Sequence, residues 1–134
     1  MAKEVRIFAY KAFKDSLSPD VYESIKNKFK IYKSTGEAPS NFGRDTTFDF
    51  PEQLRQSGLK HIHIKDRTSK RWNLKKYAFD KTSNTALIYC SNYFHPNCYL
   101  LIGLIENAHQ VYKDDLLYLL EMSDIADKFS NRNF

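Results

Sequence analysis

The pentapeptide His61-Ile62-His63-Ile64-Lys65 concentrates more chemistry than any other stretch of this sequence. Alternate side chains of an extended segment point to opposite faces. Ile62 and Ile64 therefore share one face while His61, His63 and Lys65 share the other. With the isoleucines buried, two imidazoles and an ammonium would be presented together to solvent. Histidine titrates near neutrality, so the pair can supply a proton acceptor and a proton donor. A neighbouring lysine can hold a phosphate and offset developing negative charge. A base, an acid and a cation are what RNA cleavage through the ribose 2′-hydroxyl requires, with neither metal nor cofactor.

Other residues extend this constellation. Arg44 of Phe42-Gly43-Arg44-Asp45 offers a planar fork suited to phosphate, and Asp45 could orient a histidine or simply pair with Arg44. His109, after a long apolar run, is a third candidate imidazole; Lys113 follows four residues on, within reach on a helix. Glu106 is a weaker candidate, and His95 beside Pro96 reads as a surface histidine. Between Lys60 and Lys76 the bases Lys60, Lys65, Arg67, Lys70, Arg71, Lys75 and Lys76 face the single acid Asp66, with Trp72 among them. Cations interleaved with an aromatic ring suit a single-stranded nucleic acid, the charges following the backbone and the ring stacking on a base. Two other readings compete. His61 and His63 could bind a metal, with His109 or Asp45 as third ligand, giving a metal-dependent nuclease. Alternatively, the basic surface could bind RNA or the ribosome without cleaving it.

These residues must be positioned by elements that the spacing predicts. Val5, Ile7 and Ala9 alternate with Arg6, Phe8 and Tyr10 as an opening strand. Ser18-Pro19-Asp20 starts a helix in which Tyr22, Ile25, Phe29 and Tyr32 form an apolar stripe. Lys26, Lys28, Lys30 and Lys33 make its polar side basic, and Gly36 ends it. A polar loop is expected from Glu37 to about Ser57, then the histidine strand, then a basic stretch in which Trp72 and Tyr77-Ala78-Phe79 suggest a short strand. Ala86–Cys90 and Cys98–Ile105 read as strands, the second central, and Gln110–Ser130 as a helix. The pattern is an α+β domain with a small, mainly antiparallel sheet.

Composition agrees. The 134 residues fit one domain spanning the chain, and 42% hydrophobic and 15% aromatic residues indicate a globular fold rather than disorder. A net charge of +5 favours polyanionic partners. Cys90 and Cys98 lack metal-type spacing and read as small buried hydrophobes of a reducing compartment. With no long apolar run and no leader-like N-terminus, a cytoplasmic protein without membrane contact is expected.

The same residues resemble a known family. Tyr32-Lys33 with Gly36 and Pro39, Phe42-Gly43-Arg44-Asp45, His61-Ile62-His63-Ile64, Leu87-Ile88-Tyr89-Cys90 and Leu100-Leu101-Ile102 leading to His109 follow the order found in YafO-type toxins. Lys113-Asp114 and Met122 through Phe129 continue the match, so that roughly residues 20 to 130 are covered. These toxins are distant members of the RelE-like group of ribosome-dependent mRNA interferases. The resemblance implies a twisted sheet flanked by helices, cleavage of mRNA near the ribosomal decoding site, and neutralisation by an antitoxin encoded alongside. Catalytic residues vary within the group, so the resemblance does not choose the acid or the base.

Overall fold

The computed structural model describes residues 3–134. Along the chain run β1 (Arg6–Ala9), α1 (Lys11–Asp15), α2 (Pro19–Thr35), β2 (Phe42–Thr47), α3 (Glu52–Ser57), β3 (Lys60–Ile64), β4 (Thr85–Ser91), β5 (Cys98–Ile105), α4 (Ala108–Asp114) and α5 (Leu116–Ser130). The five strands form one sheet in the order β1-β5-β4-β3-β2. Only β1 and β5 pair in parallel; the other neighbours are antiparallel. β1 and β2 thus lie at opposite edges, and the chain between them must cross a whole face. Helix α2, with 17 residues and a length of about 25 Å, is long enough to do so. Its ends follow the sequence closely: Ser18 accepts from the Val21 N–H and Gly36 takes a left-handed φ of 81°.

Each sheet face carries its own core. On one side α1 and α2 pack Phe13, Tyr22 and Phe29 against Ile62, Leu87, Tyr89 and Leu101. On the other, α3, α4 and α5 bring Leu54, Ala108, Leu119, Met122, Ala126 and Phe129 onto Ala86, Ile88, Cys90, Leu100 and Ile102. The alternation in β3 falls between them. Ile62 lies opposite Leu87 and joins the α2 core, whereas His61 and His63 lie opposite Ile88 and Ala86 on the α5 side. Both cysteines are buried and unpaired. Among the described residues no helix is long and apolar enough to cross a membrane.

Three segments depart from the sequence expectation. The loop expected from Glu37 to Ser57 contains β2 and α3. Its Gly-Arg-Asp portion is a poor strand former, but the segment is held as an edge strand by bonding to β3 and by the Lys81 carbonyl on its outer side, which accepts from the Arg44 N–H (2.9 Å). A Cβ on Gly43 would overlap that carbonyl and come within 2.8 Å of the Trp72 ring, which explains the glycine. Trp72–Leu74 and Ala78–Asp80 form 3-10 turns instead of a strand. The last helix is two, broken at Asp115, whose carboxylate caps α5 by accepting from the Tyr118 N–H.

Candidate RNA-cleaving cleft

The α5-side face of β2 and β3 is not open. Phe48 and Tyr112 close over His61, with ring centroids 4.3 Å and 5.8 Å from the imidazole. The two imidazoles stand 5.6 Å apart on one face, as pleating requires, but His61 is only 8% exposed and His63 6%. The expectation of two freely presented rings is therefore corrected: α4 and the segment after β2 cover that part of the sheet.

What remains accessible is a cleft of about 480 Å³ between β2 and the α4–α5 junction, lined by Arg44, Thr46, Phe50, His61, Tyr112 and Lys113 among others. Arg44 reaches this face because β2 is irregular there: Phe42 opposes Ile64 and Asp45 opposes Ile62, leaving Gly43 and Arg44 across from His63. Its guanidinium carbon sits 3.8 Å from the centroid of the Phe79 ring, a cation–π contact that fixes the fork. Among the described residues, three buried side-chain polar atoms make no hydrogen bond: Arg44 Nε, His61 Nδ1 and the Tyr112 hydroxyl. All three residues line this one cleft. Folded proteins pair nearly all buried polar groups, so this cluster of unpaired ones makes the cleft the candidate site.

The electrostatics suit an anion. Burial, with the neighbouring His63 and Arg44 adding to it and Asp45 opposing, depresses the His61 pKa from 6.5 to about 4. His61 is thus neutral at physiological pH. Burial also lowers His63, assisted by Arg44 and His109. His63 Nδ1 sits 2.8 Å from the Ser83 nitrogen and 3.0 Å from its carbonyl oxygen. Nδ1 either accepts from the Ser83 N–H in the Nε2–H tautomer or donates to the Ser83 carbonyl in the Nδ1–H tautomer, and either bond holds the ring against this backbone. His63 is consequently a fixed ring behind His61. His109 lies exposed in the first turn of α4, outside the lining of the cleft but one helical turn before the cleft residue Lys113, and Asn84 holds that turn by accepting from the Ala108 and His109 N–H groups.

Several sequence candidates are placed elsewhere. Asp45 projects from the opposite face, where its carboxylate accepts from the Tyr32 and Tyr89 hydroxyls (both 2.7 Å) and pairs with Lys33 (3.2 Å). It cannot orient an imidazole across the sheet. Trp72 is 3% exposed, and its Nε1–H donates to the Thr82 carbonyl, so it is a core residue rather than a stacking surface. Lys65 follows the end of β3 and is exposed, bonded through its N–H to the Asn41 carbonyl; it does not line the cleft. Arg67, Lys70 and Arg71 are exposed on the β3–β4 connection and likewise stay outside the cleft. Glu106 faces Asp66 and Arg67 in a separate depression. No group of three His, Cys, Asp or Glu side chains is placed to hold a metal among the described residues.

The site also contains residues that sequence reasoning passed over. Tyr112 stands between His109 and Lys113, both singled out, and helical spacing could have found it. Phe48, Phe50 and Phe79 carried no signal separating them from the other seven phenylalanines.

Comparison with known proteins bears on this cleft. The mRNA interferase toxin YafO of Escherichia coli (strain K12) is 26% identical over 117 residues, covering 83% of this chain and 87% of that protein. No solved structure matches the chain. The family described as "Toxin YafO, type II toxin-antitoxin system" matches residues 30–131, a span that includes every cleft residue named above. The chain belongs to this family of type II toxins.

Proposed function

We propose that the protein is an endoribonuclease that cuts mRNA on the translating ribosome and is neutralised by a cognate antitoxin. The observation that carries this reading is the convergence of unpaired Arg44 Nε, His61 Nδ1 and Tyr112 hydroxyl on one cleft beside Lys113. A phosphodiester supplies the anionic oxygens that the Arg44 Nε and Tyr112 donors lack, and Nδ1 of the neutral His61 ring is left to accept a proton. Arg44 and Lys113 hold the scissile phosphate, and neutral His61 accepts the 2′-hydroxyl proton. The 2′-oxygen bonds to phosphorus, the bond from phosphorus to the 5′-oxygen breaks, and His109 returns a proton to that oxygen. The products are a 2′,3′-cyclic phosphate and a 5′-hydroxyl. His63 keeps the His61 ring in place, and no metal takes part. Lys65, Arg67, Lys70 and Arg71 supply an outer track for the RNA backbone. The ribosome contributes positioning worth several kcal/mol, so the isolated protein cleaves naked RNA slowly.

Induced expression followed by primer extension on a defined transcript tests the reading. Discrete cuts within translated regions are expected, with 5′-hydroxyl ends that accept phosphate from a polynucleotide kinase without prior dephosphorylation. His61→Ala and Arg44→Ala should each reduce cutting about 100-fold or more. Growth inhibition that persists in His61→Ala with intact transcripts would favour simple occupancy of the ribosome. Cleavage abolished by EDTA and restored by zinc or manganese would favour a metal-dependent reaction.

A further inference from the structure

Phe50 is 83% exposed, the most exposed large apolar residue described, and it lies on the rim of the cleft that holds Arg44, His61 and Lys113. We infer that Phe50 is a nucleobase platform, stacking the base of a nucleotide next to the phosphate bound by Arg44 and Lys113. The inference rests on the RNA-cleaving reading of this cleft and adds a residue that selects and orients the substrate.

An exposed phenylalanine on a mobile loop would say little, but the backbone that carries this one is anchored. The residue two before it, Phe48, is buried, and the Phe48 N–H donates to the Leu59 carbonyl (3.1 Å). Directly after it, the Pro51 carbonyl accepts from Leu54 and Arg55 at the start of α3, and Leu54 is fully buried. The ring is thus held out by a segment anchored on both sides, so little ordering entropy is lost when a flat partner lands on it. Exposing a ring in this way costs solvation energy unless something covers it.

Charge distribution favours a base over other occupants. The cations Arg44 and Lys113 line the cleft, whereas Asp49 lines it next to Phe50. A phosphate is attracted to the cations and repelled from the Asp49 side, which leaves the Phe50 end to the uncharged part of a nucleotide. Cations that follow a backbone beside a ring that stacks on a base form the general pattern of single-strand recognition. Phe79 serves differently, because one face of its ring is already covered by the Arg44 guanidinium.

Binding of short single-stranded oligonucleotides with a 2′-deoxy residue at the scissile position tests the inference, using a series in which one base at a time is removed. The wild-type protein should lose affinity on the order of tenfold when one particular base next to the scissile phosphate is missing. Phe50→Ala should bind the intact oligonucleotide on the order of tenfold more weakly and be indifferent to removal of that base, and Phe50→Trp should restore the sensitivity. Equal losses in wild type and Phe50→Ala at every position would overturn the inference while leaving the cleft as the RNA site, provided that Arg44→Ala still abolishes binding. Binding of the wild-type protein that is independent of Arg44, or absent, would overturn both readings. If Phe50→Ala instead left RNA binding intact and weakened binding of the antitoxin, the ring would belong to that interface and the inference would fall.

Discussion

The imidazole of His61 is strongly perturbed by its place in the cleft, and its environment makes two demands at once. Packing against Phe48 and Tyr112 keeps the ring neutral, with a pKa near 4, yet leaves Nδ1 without a partner. A bound phosphate would supply the missing charge and raise that pKa, turning a weak base into one matched to neutral pH. The free protein should show the opposite side of the same linkage. Unfolded, the ring binds a proton near pH 6.5; folded, it does so only near pH 4. Between these values the unfolded chain holds more protons, so stability falls as pH drops from about 6.5 to about 4 and levels off below. The loss attributable to this ring is about 3 kcal/mol. Urea unfolding at pH 4 and pH 7.5 should show a drop that shrinks by this order in His61→Phe. A remainder is expected from His63, which is shifted in the same direction. An equal pH dependence in the variant would mean that the ring is solvated and not held as described.

At the scale of elements, β2 uses its two faces for different purposes. Arg44 faces the cleft, while the next residue, Asp45, faces α2 and ties it down through Tyr32, Lys33 and Tyr89. Lys33 lies over the rings of Tyr32, Tyr89 and Tyr99, and burial lowers its pKa although Asp45 pulls the other way. An edge strand with weak propensity is thereby fastened from behind. Removing the carboxylate in Asp45→Ala leaves a largely buried ammonium without its partner, and a stability loss of roughly 3 kcal/mol is expected. Tyr89→Phe deletes the hydrogen bond donated to that carboxylate and the one accepted from Lys33, and should cost about 2 kcal/mol. Chemical denaturation checks both values. Cleavage per folded molecule should keep the wild-type pH profile in each variant. A shifted profile would give Asp45 the part in proton transfer that its position argues against.

For the whole molecule, the net charge of +5 and the exposed bases of the β3–β4 connection favour polyanions in general, and in the proposed reading the cleft would impose a register on a bound RNA. The two contributions separate by salt. Each lost phosphate contact to a single strand lowers the slope of log K against log salt concentration by about 0.7. Lys113→Ala should therefore reduce the slope by roughly that amount for a non-cleavable oligonucleotide measured by fluorescence anisotropy. A slope unchanged in Lys113→Ala would remove this lysine from the phosphate track.

The residue types and their periodicity settled the α+β class, the capped helix ending at Gly36, and the division of β3 into isoleucine and histidine faces. Those features depend on neighbours in the chain: the two-residue repeat of a strand, a cap within one helical turn, a glycine where φ is positive. They also brought Arg44, His61, His109 and Lys113 forward as candidates. Only the tertiary structure decided which face each strand residue of β2 would meet, because an irregularity between Phe42 and Asp45 shifts the alternation, putting those two residues on one side of the sheet and Arg44 on the other. It likewise decided that Trp72 is buried while Phe50 is exposed, since the sequence records that a ring is aromatic and not what covers it. The covering of His61 by Phe48 and Tyr112, from segments far apart in the chain, is what makes that imidazole neutral, and no local pattern encodes it.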